Sequence, residues 1–161
     1  MTIKVGDTLP QAKFRVSTPD GSAWKTTDEL FKNKKVVLFG VPGAFTGTCH
    51  GTHLPGFVKN ADAIKAKGVD MIAVTAVNDV FVMDAWNRAA GANDKIVFLA
   101  DGNGDFARAI DLTFDGSGLG LGVRSKRYSM VVENGVVKQL NIEEIPAKVD
   151  LSGADRVLAQ L

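Results

Sequence analysis

The stretch Lys35-Val36-Val37-Leu38-Phe39-Gly40-Val41-Pro42-Gly43-Ala44-Phe45-Thr46-Gly47-Thr48-Cys49 decides how the chain folds. From Lys35 to Val41 it is a continuous β-branched and apolar run, the pattern of a strand buried on both faces of a sheet. Val69–Val77 and Ile96–Ala100 repeat that pattern. Between the first two runs, Leu54, Phe57, Val58, Ala61 and Ile64 recur at helical spacing with Lys and Asp opposite, and Gly68 follows as a stop. These segments predict a βαβ unit. Asn78 or Asp79 is placed to cap a second helix with Val80, Met83 and Trp86 on its apolar side, and that helix leads into the Ile96 strand.

Further out the pattern changes. Tyr128–Glu133 and Val136–Leu140 flank Asn134-Gly135, a pair that specifies a type I′ hairpin turn. A second hairpin is expected around Asp20-Gly21, and Ser152 is a candidate N-cap for a last helix running to Leu161. The chain therefore reads as one α/β domain over residues 1–161. Its expected core is a mixed central sheet, parallel in the middle and antiparallel at one side, flanked by helices on both faces.

Composition narrows the function. The chain has 161 residues, 45% of them hydrophobic and 23% charged, which is enough to bury one core without staples. A net charge of +1 supplies no general attraction for phosphate backbones or anionic membranes, so no nucleic-acid or membrane partner is expected. Apolar runs such as Val36–Val41 are far too short to span a bilayer, and Met1–Pro10 holds no signal-length apolar stretch, so the expected compartment is cytoplasmic. Cys49 is the sole cysteine, which excludes an internal disulfide, a CxxC pair and a multi-cysteine zinc site.

That cysteine stands where a buried strand gives way to a helix. Ligands of α/β sheets collect at such strand ends, and a helix start offers unpaired N–H groups. Thr46 or Thr48 is placed to cap the helix and so put Cys49 in its first turn, where the partial positive charge favours a thiolate nucleophile. Pro42 by itself reads as the end of the strand, Thr46 as a cap, and Phe45 and Trp86 as packing residues. Pro55 is expected to kink the helix, and Arg124 and Arg127 share a basic cluster with Lys126. Cys49 and His53 at i, i+4, with His50 adjacent, invite a metal reading. His50 points away from the sulfur, however, and metallation would quench the nucleophile, so no metal is expected and His53 reads as a structural hydrogen-bonding group. Gly116–Gly122 lacks GxGxxG spacing and precedes a strand, so it reads as a flexible loop and not a nucleotide cradle. Cys49-His50-Gly51-Thr52 also resembles the active site of a monothiol glutaredoxin-like transferase.

Pro42 to Cys49, PGAFTGTC, resembles the PxxxTxxC motif of the peroxiredoxins. The resemblance continues through CHGTHLPGF, AVNDVFVMDAW, LADGNGDFARAID and LGVRSKRYSMVVENGVV, and is to the type-II (type-V, atypical) branch. It implies a thioredoxin-like fold and a thiol-dependent peroxidase acting on hydrogen peroxide and alkyl hydroperoxides through a sulfenic acid. In that scheme Cys49 is the attacking cysteine, Thr46 hydrogen-bonds peroxide and thiolate, Pro42 shields the site, and Arg127 is the catalytic arginine. The family also implies a homodimer, with Phe45 and the Asn78–Phe81 loop near the contact. Many relatives carry a second, resolving cysteine, and Ser152 stands where some of them place it. This chain would depend on an external thiol, with glutathione or glutaredoxin as the expected reductant and no bound cofactor. A monothiol transferase and a non-enzymatic redox sensor using the same sulfur are the alternatives.

Overall fold

The computed structural model describes residues 1–161. A seven-stranded sheet runs in the order β2 (Gly21–Thr26), β1 (Lys13–Thr18), β5 (Val97–Ala100), β4 (Met71–Ala76), β3 (Lys35–Gly40), β8 (Tyr128–Glu133), β9 (Val136–Ile142). Its middle is parallel, with β3 (Lys35–Gly40) beside β4 (Met71–Ala76) and β4 beside β5 (Val97–Ala100). The three apolar runs of the sequence thus form the sheet's centre. On one side β8 (Tyr128–Glu133) and β9 (Val136–Ile142) add antiparallel, joined by Asn134 at φ 48° and Gly135 at φ 77°, the two positive values a type I′ turn needs.

The expectation of antiparallel strands at one side only is corrected. The N-terminal hairpin, β1 (Lys13–Thr18) and β2 (Gly21–Thr26), extends the opposite edge, where Arg15 pairs antiparallel with Ala100 of β5. Its one registered pair with the sheet joins residues far apart in sequence, and no local pattern encodes such a pairing.

Both faces of β3 are covered, which is why it reads as unbroken apolar sequence. Val37 and Phe39 face a core made with α2 (Leu54–Lys65), α3 (Val80–Ala90) and α5 (Ala154–Gln160). Val36 and Leu38 face a second core with α1 (Thr27–Phe31) and α4 (Asp105–Ala109). The α1 start is a capping box between Thr26 and Glu29, and α3 is capped by Asp79, whose carboxylate accepts from the Val82 N–H at 2.8 Å. Asp79, not Asn78, is the cap. At α5 the sequence expectation fails, because the N-cap is Gly153 and the Ser152 hydroxyl turns away to donate to Glu143. Gly116–Gly122 holds a short 3₁₀ turn, Ser117–Leu119, between the paired strands β6 (Thr113–Asp115) and β7 (Val123–Ser125).

The register between β3, β8 and β9 positions the site. Gly40 lies opposite Tyr128, and Tyr128 opposite Ile142, so the next residues outward, Val41, Arg127 and Glu143, end three neighbouring strands side by side. Strand alternation sends Tyr128 into the second core and therefore aims Arg127 at the other face, where Cys49 lies. The Tyr128 ring occupies the space a side chain at 40 would take, with Cε1 2.2 Å from a Cβ built there, so this crossing tolerates only glycine.

Candidate active site

After β3, the Val41 N–H donates to Thr75 O at 3.1 Å and the chain leaves the sheet at the buried Pro42. Three contacts hold the following loop, and a fourth fixes the arginine that makes one of them. The Ala44 N–H donates to Asn78 Oδ1 at 2.9 Å, and Thr46 Oγ1 donates to Gly43 O at 2.7 Å. Arg124 donates from Nη1 to Pro42 O at 3.2 Å and from Nε to Leu121 O at 2.9 Å. Gly43 leaves room for that guanidinium, since a Cβ there would lie 2.7 Å from Arg124 Nη1. Arg124 is thus a strut of the loop, a role the basic cluster did not disclose. Phe45, read as a packing residue, is 46% exposed, whereas Trp86 is fully buried as expected.

The helix that receives Cys49 departs from the expected form. Neither Thr46 nor Thr48 caps it through its side chain, because Thr46 is bonded to Gly43 and Thr48 Oγ1 donates to Ala147 O at 2.6 Å. Cys49–His53 forms a π turn, closed by the Leu54 N–H donating to Cys49 O. Such a wide turn is a common feature of functional sites. Pro55 then sits at the second position of α2, where its missing N–H costs nothing, and the wide turn upstream replaces the expected kink.

Cys49 is 1% exposed and Arg127 2%, and they meet directly, with Arg127 Nη2 donating to Cys49 Sγ at 3.0 Å. The other guanidinium nitrogens are equally committed. Nη1 bonds His53 Nδ1 at 2.9 Å, and Nε donates to Pro146 O at 2.8 Å. His53 Nε2 bonds Ser152 O at 2.9 Å. Arginine can only donate and a carbonyl can only accept, so the ring is neutral with its proton on Nε2. Neither His53 nitrogen keeps a free lone pair for a metal. His50 faces away and accepts from Trp86 Nε1 at 3.0 Å.

Burial, and then the charge of Arg127, lower the His53 pKa from 6.5 to about 3. The unfolded chain therefore binds a proton on His53 over a range where the folded chain does not, and stability rises with pH across it. Thermal stability is expected to fall as pH drops from about 6.5 toward 3. A His53→Asn variant should show a flatter dependence in melts across that range, and an equally steep one would refute the assignment.

Of the four residues singled out in the sequence, Cys49 and Arg127 are in contact. Thr46 and Pro42 belong to the loop that leads into Cys49. His53 makes the structural hydrogen bonds expected of it, though its partner in the arginine was not foreseen, and the residues passed over are Arg124 and Asn78 as supports of the loop and the carbonyls of Pro146, Ala147 and Ser152. The i, i+4 spacing of Cys49 and His53 was the available signal for that partnership, and backbone carbonyls leave none.

The redoxin family profile matches residues 4–158. Peroxiredoxin-2C of Oryza sativa is 44% identical over 160 residues, covering 99% of this chain and 98% of that protein. The chloroplastic peroxiredoxin-2E of Arabidopsis thaliana is 44% identical over 162 residues, 98% of this chain and 69% of its own length. Among solved structures, reduced Prx3 of Vibrio vulnificus in complex with hydrogen peroxide superposes with a TM-score of 0.94 at 48% identity, over 99% of both chains. The thioredoxin-like expectation holds, and the monothiol-transferase alternative gives way to a different likeness. With its lone cysteine at the start of the helix, the chain belongs to the redoxin family as a one-cysteine peroxiredoxin of the type-II group.

Proposed function

We propose that Cys49 is the peroxidatic cysteine of a thiol-dependent peroxidase that reduces hydrogen peroxide and alkyl hydroperoxides and is regenerated by an external thiol. The observation that carries it is the 3.0 Å bond from the buried Arg127 guanidinium to the only thiol in the chain. A cation fixed there stabilises a thiolate, and its remaining donor capacity suits the charge that develops on a departing oxygen. In the reaction, the Cys49 thiolate attacks the terminal oxygen of ROOH. The S–O bond forms as the O–O bond breaks, the electron pair leaves on RO⁻, which takes a proton to become ROH, and sulfur is oxidised by two electrons to sulfenic acid. Thr46 Oγ1, whose proton is held by Gly43 O, keeps lone pairs to accept from the peroxide O–H, and Pro42 limits water.

With no second cysteine, the sulfenic acid is resolved by one thiol to a mixed disulfide and water, and a second thiol releases Cys49 and the oxidised dimer of the thiol. Glutathione, with or without glutaredoxin, is the proposed reductant. The proposal includes a homodimer, supported by the family and by two exposed aromatics, Phe45 in the active-site loop at 46% and Phe81, three residues after the Asn78 that bonds this loop, at 79%. Relatives include a chloroplastic, a mitochondrial and a peroxisomal protein. Stopped-flow mixing with stoichiometric peroxide should oxidise Cys49 in one fast phase. Steady turnover should follow with glutathione and glutaredoxin. Sustained turnover with thioredoxin alone would refute the proposed reductant, and a protein that stays monomeric in light scattering would refute the dimer.

A further inference from the structure

Arg127 is a buried cation, and the buried carboxylate on the next strand end is Glu143, whose backbone N–H donates to Arg127 O at 3.0 Å. The two side chains form no ion pair. Instead one carboxylate oxygen of Glu143 gathers three donors, the N–H of Asp150 at 2.8 Å and both the N–H and Oγ of Ser152 at 2.6 Å. Those bonds outweigh the penalty of burial and hold the Glu143 carboxyl below its ordinary range, so it is ionised at neutral pH.

What the carboxylate holds is the segment between β9 and α5. Residues 143–153 contain no helix or strand, so no ladder of backbone bonds sets their path. Three of their carbonyls nevertheless reach the site. Pro146 O receives Arg127 Nε, Ser152 O receives His53 Nε2, and Ala147 O receives Thr48 Oγ1. Two of the three acceptors that orient the guanidinium are therefore fixed by this segment, directly through Pro146 and through His53 from Ser152. A guanidinium has to be aimed, since its donors lie in one rigid plane.

We propose that Glu143 is a positioning residue for the catalytic arginine, acting along the path Glu143, Ser152, His53, Arg127, Cys49. The inference rests on the peroxidase reading above. A carboxylate that merely stabilised its loop would change stability and leave the peroxide step alone. One that aims Arg127 changes the rate of that step, and only while Arg127 is present.

A double-mutant cycle on the peroxide step separates the two. Glu143→Gln keeps the shape but offers a neutral oxygen to three donors. It should lower the second-order rate constant for stoichiometric peroxide by about tenfold, since small misplacements of a catalytic group carry losses of this order. Glu143→Asp, which keeps the charge, should recover part of that rate. In an Arg127→Ala background the Glu143→Gln change should alter the rate less than about twofold, because nothing is left to aim. Should Glu143→Gln not fold, judged by circular dichroism and melting, Ser152→Ala enters the same cycle with an expected loss of about threefold. A wild-type rate in the folded single variant, or the same fold-loss with and without Arg127, would overturn the proposal. A wild-type enzyme that fails to react with peroxide would instead overturn the peroxidase reading itself.

Discussion

Cys49→Ser is expected to consume peroxide no faster than buffer. Serine is close in shape and keeps an acceptor for Arg127 Nη2, so the buried guanidinium stays bonded and the fold should survive. A hydroxyl is not ionised near neutral pH and does not form the sulfenic acid through which the cycle runs. In many enzymes a neighbouring thiol can stand in for a lost one, but here no other cysteine exists. The check is peroxide consumption under pseudo-first-order conditions, with mass spectrometry for an added oxygen on the wild-type Cys49 peptide. Consumption by the serine variant at the wild-type rate would remove Cys49 from the centre of the mechanism.

Arg127→Ala is expected to slow the peroxide step by about a hundredfold to a thousandfold, the usual consequence of losing one preorganised donor at a site of developing charge. The change also strips His53 Nδ1 and Pro146 O of their donor and leaves a cavity at a residue only 2% exposed. Unsatisfied buried acceptors cost about 1–3 kcal/mol each, offset in part because an expensive buried cation is gone, so melts should show a moderate loss of stability beside the large loss of rate. Arg127→Lys should rescue little. One ammonium keeps the charge but cannot reproduce a planar group that bonds sulfur, imidazole and carbonyl from three separate nitrogens. A lysine variant with wild-type rate would show that charge alone, and not aim, is what the site requires.

The legibility of the site in sequence follows from the range over which each feature is encoded. Lys35–Val41 and Met71–Ala76 are buried on both faces, and that condition forces a run of apolar residues that any reader of the chain can see. The Asn134-Gly135 turn is equally local, since two adjacent positive φ angles demand those residue types. Thr46, Thr48 and Ser152 misled as helix caps for the opposite reason. Thr46 turned back to the Gly43 carbonyl three residues before it, while Thr48 and Ser152 took partners about a hundred residues away or across a loop, Ala147 O and Glu143 Oε2. The π turn at Cys49–His53 likewise has no local signature.

Arg124 and Arg127 make the division sharpest. They lie three residues apart in one basic cluster, and composition and periodicity treat them alike. Family resemblance selected Arg127, but only the pairing of β3 with β8 explains the choice, by setting residue 127 opposite the end of the strand that carries the cysteine loop. Strand alternation then turns its side chain toward Cys49, and Arg124, still half-buried, braces Pro42 from beside it.

The sequence by itself determined the parallel centre of the sheet, the strand-to-helix junction and the solitary sulfur at that junction, because burial on two faces and tight turns constrain neighbouring residues. The tertiary structure decided what surrounds that sulfur. Its arginine comes from 78 positions away, its histidine is fixed by a carbonyl 99 positions further on, and the segment that supplies the carbonyls follows no repeating pattern. Hydrogen bonds to a backbone carbonyl depend on where the chain passes and not on which residue passes there, and for that reason no inspection of side chains along the chain reveals them.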